Sequence, residues 1–202
     1  MDIAKNIMRW LMPKKYCESG APSRTNNVCD VSRYIINYSN KKGYGISNLK
    51  LQKILYFVQA YFLITEPYTA CFNEKIEAWD FGPVVPVAYH EFKQYGSGNI
   101  PYIETYIKRD VNDIWGYTKV RFDENIISKK DKEKIRDVID SFSQYSATDL
   151  VSLTHRQSPW KDAYRKGAHS EITQEAIRTY FNNKEADYVR SDRHSELVHR
   201  IQ

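Results

Sequence analysis

The chain has 202 residues, of which 42% are hydrophobic, and a formal net charge of +5. That length suits one domain with appendages or two very small domains. The charge is spread along the chain, with no basic run longer than Lys129-Lys130, so the concentrated stripe of a nucleic-acid binder is missing.

No apolar run approaches the roughly 20 residues that span a bilayer. Lys5 and Arg9 interrupt the opening MDIAKNIMRWLM, so no secretory leader is expected either. Cys17, Cys29 and Cys71 are odd in number and lack CxxC spacing, which suits a reducing compartment and a cytoplasmic protein. The 16 Tyr against 8 Phe fit a core with polar edges or a surface built for binding. Drift in an AT-rich genome would raise the same residue.

Residues 1–27 read as an appendage. Ile3, Ile7, Trp10 and Leu11 recur at helical spacing before Pro13, Gly20 and Pro22 break the pattern. Docking on the body of the same chain is the favoured role for this short helix, ahead of a partner-binding arm or a membrane-surface helix. Asp30 is placed to cap a helix with the apolar face Val31, Tyr34, Ile35 and Tyr38, stopped at Gly43.

Ser47 or Asn48 then caps a helix over 49–64. Leu51, Ile54, Leu55, Val58 and Phe62 form one stripe, and Leu49, Phe57, Ala60, Leu63 and Ile64 fill most of the remainder. A helix apolar nearly all round is buried on most sides, so this one is expected at the centre of the fold. Asn48, Gln52, Tyr56 and Gln59 step by four, four and three onto one face. A structural network bonding nearby backbone is the favoured reading of that strip; a polar contact strip for a partner is the other.

Lys75 to Trp79 is short and extended. Asp80 to Pro86 must turn on Gly82-Pro83, and Pro86 fits the first turn of a helix. Val85, Ala88, Tyr89, Phe92 and Tyr95 make its apolar face. Helical period is then lost to Ile127, and alternation at Tyr102, Glu104 and Tyr106 and at Thr118, Val120 and Phe122 predicts a small β hairpin around Asn112 and Gly116.

Ser128 opens the next helix, carrying Ile135, Val138, Ile139 and Phe142. Ser146 opens one with Leu150, Val151 and Leu153. Ser158-Pro159 starts a short helix that ends at Gly167 and turns Trp160, Ala163 and Tyr164 inward. Thr173 caps the last, with Ala176, Ile177, Tyr180 and Phe181. The fold expected is mainly α: a compact single-domain helical bundle over 28–182 around a buried central helix, with a small β insertion. A charged tail follows over 183–202.

The search for chemistry is mostly negative. His90-Glu91 lacks the second His of HExxH, since position 94 is Gln, and His90, His155, His169, His194 and His199 are scattered. There is no GxxxxGK[ST], no GxGxxG opening a helix after a strand, and no GxSxG. Glu77 and Asp80 flank Trp79, but no second catalytic component accompanies them. No catalytic residue, metal or cofactor is therefore expected, and the chain reads as a binder.

One segment is specific. NLKLQKILYFVQAYFL, then EAWDFGPVVPVAYHEFKQYG, closely resembles the Panacea domain, the SocA-like antitoxin or phage-associated GepA-like family. That family's pattern is LKLQKLLYFxQ followed by EAWxxGPVxPxxYxxF. The matches run from Leu49 to Gln59, then Glu77, Ala78, Trp79, Gly82, Pro83, Val84, Pro86, Tyr89 and Phe92. LVSLTHRQSPW, with Thr154, His155, Pro159 and Trp160, is similar to a third block.

The resemblance implies a compact helical antitoxin that neutralises a cognate toxin by direct binding. It also implies that the pattern residues Gln52, Gln59, Glu77, Trp79, Gly82, Pro83, Pro86, His155 and Trp160 hold the fold. Trp10, Phe81, Tyr89, Trp115 and Tyr117 remain as the expected partner contacts. Some relatives carry an added DNA-binding module or act as protease adaptors, and neither feature is read here. Alternatives are a phage accessory protein that binds a host factor, and a nucleic-acid binder, although no nucleic-acid or membrane partner is expected.

Overall fold

The computed structural model describes residues 25–65, 67–109 and 116–183. The expected N-terminal helix, the charged tail, Trp10 and Trp115 lie outside them. Helix α1 is Val28–Lys42, and Gly43, in the left-handed region at φ 70°, ends it. Its cap is Asn27, not Asp30. The Asn27 side chain accepts from the amides of Cys29 and Asp30, which moves Asp30 into the first turn. There its carboxylate favours the helix dipole and pairs with Arg33.

The central helix α2 is Asn48–Ile64, capped by the Ser47 side chain. Nearly every residue of it is buried, including Leu51, Leu55, Phe57, Val58 and Leu63 at 0% exposure. Large apolar side chains contribute about 1.5–3 kcal/mol each on full burial, so α2 is the principal source of core stability. Helix α1, the short α3 (Pro86–Phe92), α4 (Lys129–Ser141) and α5 (Ala147–Thr154) pack around it. Phe57 stacks on Phe142 of the α4 C-terminus at 4.4 Å. Both α4 and α5 start at the expected serines, and Ser146 with Asp149 forms a reciprocal capping box.

Ile76–Trp79 is extended as expected, but the turn expected over 80–86 is shorter, because Gly82–Val84 within it is strand. β1 (Ile76–Trp79) and β2 (Gly82–Val84) pair antiparallel, with Trp79 opposite Gly82 and Ala78 opposite Pro83. The turn is only Asp80-Phe81. Pro83 is tolerated because β2 is an edge strand, where a missing amide donor costs no ladder bond. On the other side of β1 lies β5 (Glu171–Ile172), which completes a three-stranded sheet in the order β2-β1-β5.

The insertion is the expected hairpin: β3 (Thr105–Arg109) pairs with β4 (Tyr117–Arg121), Ile107 opposite Lys119. Asn37 of α1 anchors its approach by bonding both the amide and the carbonyl of Ile103. The last two helices are α6 (Ser158–Ala163) and α7, described over 174–183. α6 stops at Ala163 and not at Gly167, because Tyr164 takes extended backbone angles. Thr173 caps α7, accepting from the Ala176 amide.

Gly82 shows how tightly the sheet meets α2. Its φ is 95°, and a Cβ there would lie 2.7 Å from Thr154 Oγ1 and 3.0 Å from Lys53 Nζ. Gly82→Ala is expected to destabilise the protein by about 2 kcal/mol or more, through both backbone strain and the clash. Urea unfolding checks this, the midpoint falling with an unchanged m-value.

Candidate functional site

The polar strip of α2 is consumed by backbone. Gln52 Oε1 accepts from the Val85 amide at 2.9 Å, and its amide group donates to Asn48 Oδ1. Asn48 in turn donates to the Tyr89 carbonyl. Gln59 accepts from the amides of Cys71 and Phe72 and donates to the Phe72 carbonyl. Tyr56 donates to Gln157 Oε1 at 2.8 Å. All four side chains are buried, where an unpaired polar group would cost about 1–3 kcal/mol. The strip therefore pins the β1–β2 hairpin, the start of α3, the loop before β1 and the α5–α6 junction to a single helix.

A fifth α2 side chain, Lys53, completes the clamp. It is fully buried and donates to the Pro83 carbonyl at 2.9 Å. Burial without a carboxylate partner pulls its ammonium down to about 7. Sequence reading passed over Lys53. The available signal was the pair Lys50 and Lys53, two cations inside a helix apolar nearly all round.

From the far side the hairpin is held by an aromatic column. Trp160 donates its indole N–H to the Trp79 carbonyl at 3.0 Å and stacks on His155 at 3.9 Å and on Tyr164 at 4.6 Å. Tyr164 donates to Asp80 Oδ1 at 2.8 Å, a bond that raises its phenol pKa. Burial first, then the Lys53 charge, lowers the His155 pKa, while a hydrogen bond to the Asp80 backbone opposes them. His155 Nε2 is buried with no hydrogen-bond partner among the described residues, which fits a neutral imidazole.

Trp79 is half-buried. Its indole donates to Glu77 Oε2, stacks on His169 at 4.6 Å and meets Tyr89 edge-on at 5.0 Å. His169 itself sits at φ 50°. Thus Gln52, Glu77, Trp79, Gly82, Pro83, Pro86, His155 and Trp160 lie in or against one hairpin frame, and Gln59 holds the loop that leads into it. Pro86 occupies the first turn of α3.

The expected partner contacts divide. Phe81 stands 66% exposed at the tip of β1–β2, and Tyr117 67% exposed on β4 beside Ile107 at 61%. Tyr89 is half-buried against Trp79. Phe81 and Tyr117 are on different hairpins; no contact joins them. Among the described residues no group of three His, Cys, Asp or Glu is placed to hold a metal ion, and no helix is long and apolar enough to cross a membrane.

A buried central helix whose polar side chains clamp a Trp-Gly-Pro hairpin is the frame of a recognisable domain class. The family model described as "Antitoxin SocA-like, Panacea domain" matches residues 51–161, more than half of the chain, and the chain belongs to that family. It is similar to the protein named Antitoxin SocA of Caulobacter vibrioides (strain NA1000 / CB15N), with 36% identity over 117 residues. The aligned part covers 57% of this chain and 58% of that relative's length. No solved structure matches the chain.

Lys53 provides a pH test of the clamp. Its native pKa of about 7 lies below the ordinary 10.5, so between those values the unfolded chain binds more protons and stability rises with pH. From pH 7 to 9 the gain from Lys53 is expected to be about 2 kcal/mol, partly offset toward pH 9 because burial holds the Cys29 and Cys71 thiols above their ordinary 9.0. Lys53→Met should flatten that rise. Denaturant melts at pH 7 and 9 for both proteins measure it.

Proposed function

We propose that the protein is an antitoxin that neutralises a cognate protein toxin by occupying its surface, in stoichiometric amounts and without turnover. Family membership and the name of the Caulobacter relative support the class. The observation that carries the mechanism is the division of labour at the hairpin. The residues of the family pattern are spent on internal bonds, while Phe81, at one of its two unspecified positions between Trp and Gly, is thrust into solvent from a fixed frame.

An exposed aromatic on a preorganised tip is a favourable binding anchor, because little conformational entropy remains to be lost on association. We assign the binding unit to residues 28–182, with 1–27 and 183–202 as appendages, acting in the cytoplasm. The lack of a clustered basic stripe favours a protein over a nucleic-acid partner.

Co-expression with each neighbouring gene tests this. One neighbour should arrest growth when expressed alone, be rescued by this protein and co-purify with it at a fixed ratio. Failure of every neighbour to be rescued, or rescue without a complex, would contradict the proposal.

A further inference from the structure

We infer that the partner is bound through a basic, partly apolar segment, received by one continuous surface made of the β1–β2 tip and the groove between α6, β5 and α7. This deepens the antitoxin reading and rests on it.

The groove has a volume of about 520 Å³. Pro159, Ala163, Ile172 and Ala176 supply apolar floor, and Asp162, Glu171 and Glu175 supply charge. Among the described residues no Lys or Arg lines it, although the chain as a whole is positive at +5. Glu171 is paired with Lys75 at 3.0 Å, whereas Asp162 and Glu175 have no ion pair among the described residues.

Tyr164 joins groove to tip. It follows Ala163 directly, and its hydroxyl holds Asp80, itself exposed and next to Phe81. A partner lying along this surface meets an aromatic knob, a carboxylate held by Tyr164, the Arg165 guanidinium tied to the carbonyls of Asp162 and Tyr164, and an acidic trough with an apolar base.

Charge complementarity selects the occupant. Like-charge surfaces are repelled and opposite ones are steered in, with attraction weakened by salt. Phosphate-rich nucleic acid is disfavoured by the same carboxylates. The β3–β4 face is a poorer candidate for the same segment, because Lys119 and Arg121 flank its exposed Ile107 and Tyr117. The β5 and α7 side of the groove also lies outside the family match over 51–161, as a surface fitted to one particular partner can.

The experiment uses the full chain and the neighbouring gene product that it rescues. Phe81→Asp and the pair Asp162→Lys with Glu175→Lys alter exposed side chains only, so thermal midpoints should match the wild type. Each is expected to weaken binding by about tenfold or more, Phe81→Asp through the lost aromatic anchor, and only the Asp162→Lys, Glu175→Lys pair is expected to flatten its salt dependence. Variants that fold and bind within about twofold of wild type overturn the inference while leaving the antitoxin reading intact. If the wild type rescues no neighbour, the antitoxin reading fails first and the inference with it. Hydrogen exchange supplies the third arm. Protection over 159–176 beyond that given by the α6 and β5 hydrogen bonds should appear only in the complex; such added protection already present in the free chain and lost on removing residues 1–24 would show that the chain's own N-terminal segment fills the groove, which also overturns it.

Discussion

Buried amides and carbonyls must find partners, and in this protein a single helix provides them. The side chains of Asn48, Gln52, Lys53, Tyr56 and Gln59 reach from α2 to segments that lack regular hydrogen bonding of their own. Two of these segments, the loop before β1 and the β2–α3 junction, could not stay buried otherwise. The apolar stripe of α2 builds the core, and its polar strip decides how the chain is threaded around that core.

The consequence is a hairpin clamped on both sides. Lys53 holds β2 from beneath, Trp160 holds β1, and Tyr164 holds the turn. Little freedom is left at Asp80 and Phe81. Such a frame can carry different tip residues without refolding. The cost is a buried amine displaced far from its ordinary pKa, tolerated because it donates into a strand edge that has a carbonyl to spare.

Much of this was legible in the sequence. The all-round apolarity of 49–64, the serine caps at 47, 128 and 146, and the four-residue stepping of the polar strip are short-range signals that depend on one helix each. The hairpin was half legible. Gly82-Pro83 announced a turn, but the strand character of Gly82 to Val84 depends on pairing with β1, and neither residue type favours a strand. β5 has two residues, too few for any period to show. Asn27 and Asp30 are both good caps, and only the bonds to the following amides distinguish them. The bond from Tyr164 to Asp80 joins residues 84 positions apart, and the acidic groove gathers side chains from three elements. No local pattern encodes such juxtapositions.

The central claim is that the protein works by covering another protein and not by changing it covalently. Titration of the purified protein into a fixed amount of the neighbouring gene product whose toxicity it relieves, read as residual toxic activity, tests that most directly. Loss of activity linear in added protein, complete at a fixed molar ratio and independent of incubation time, is the predicted result. Progressive inactivation of excess toxin by a small amount of this protein would contradict it.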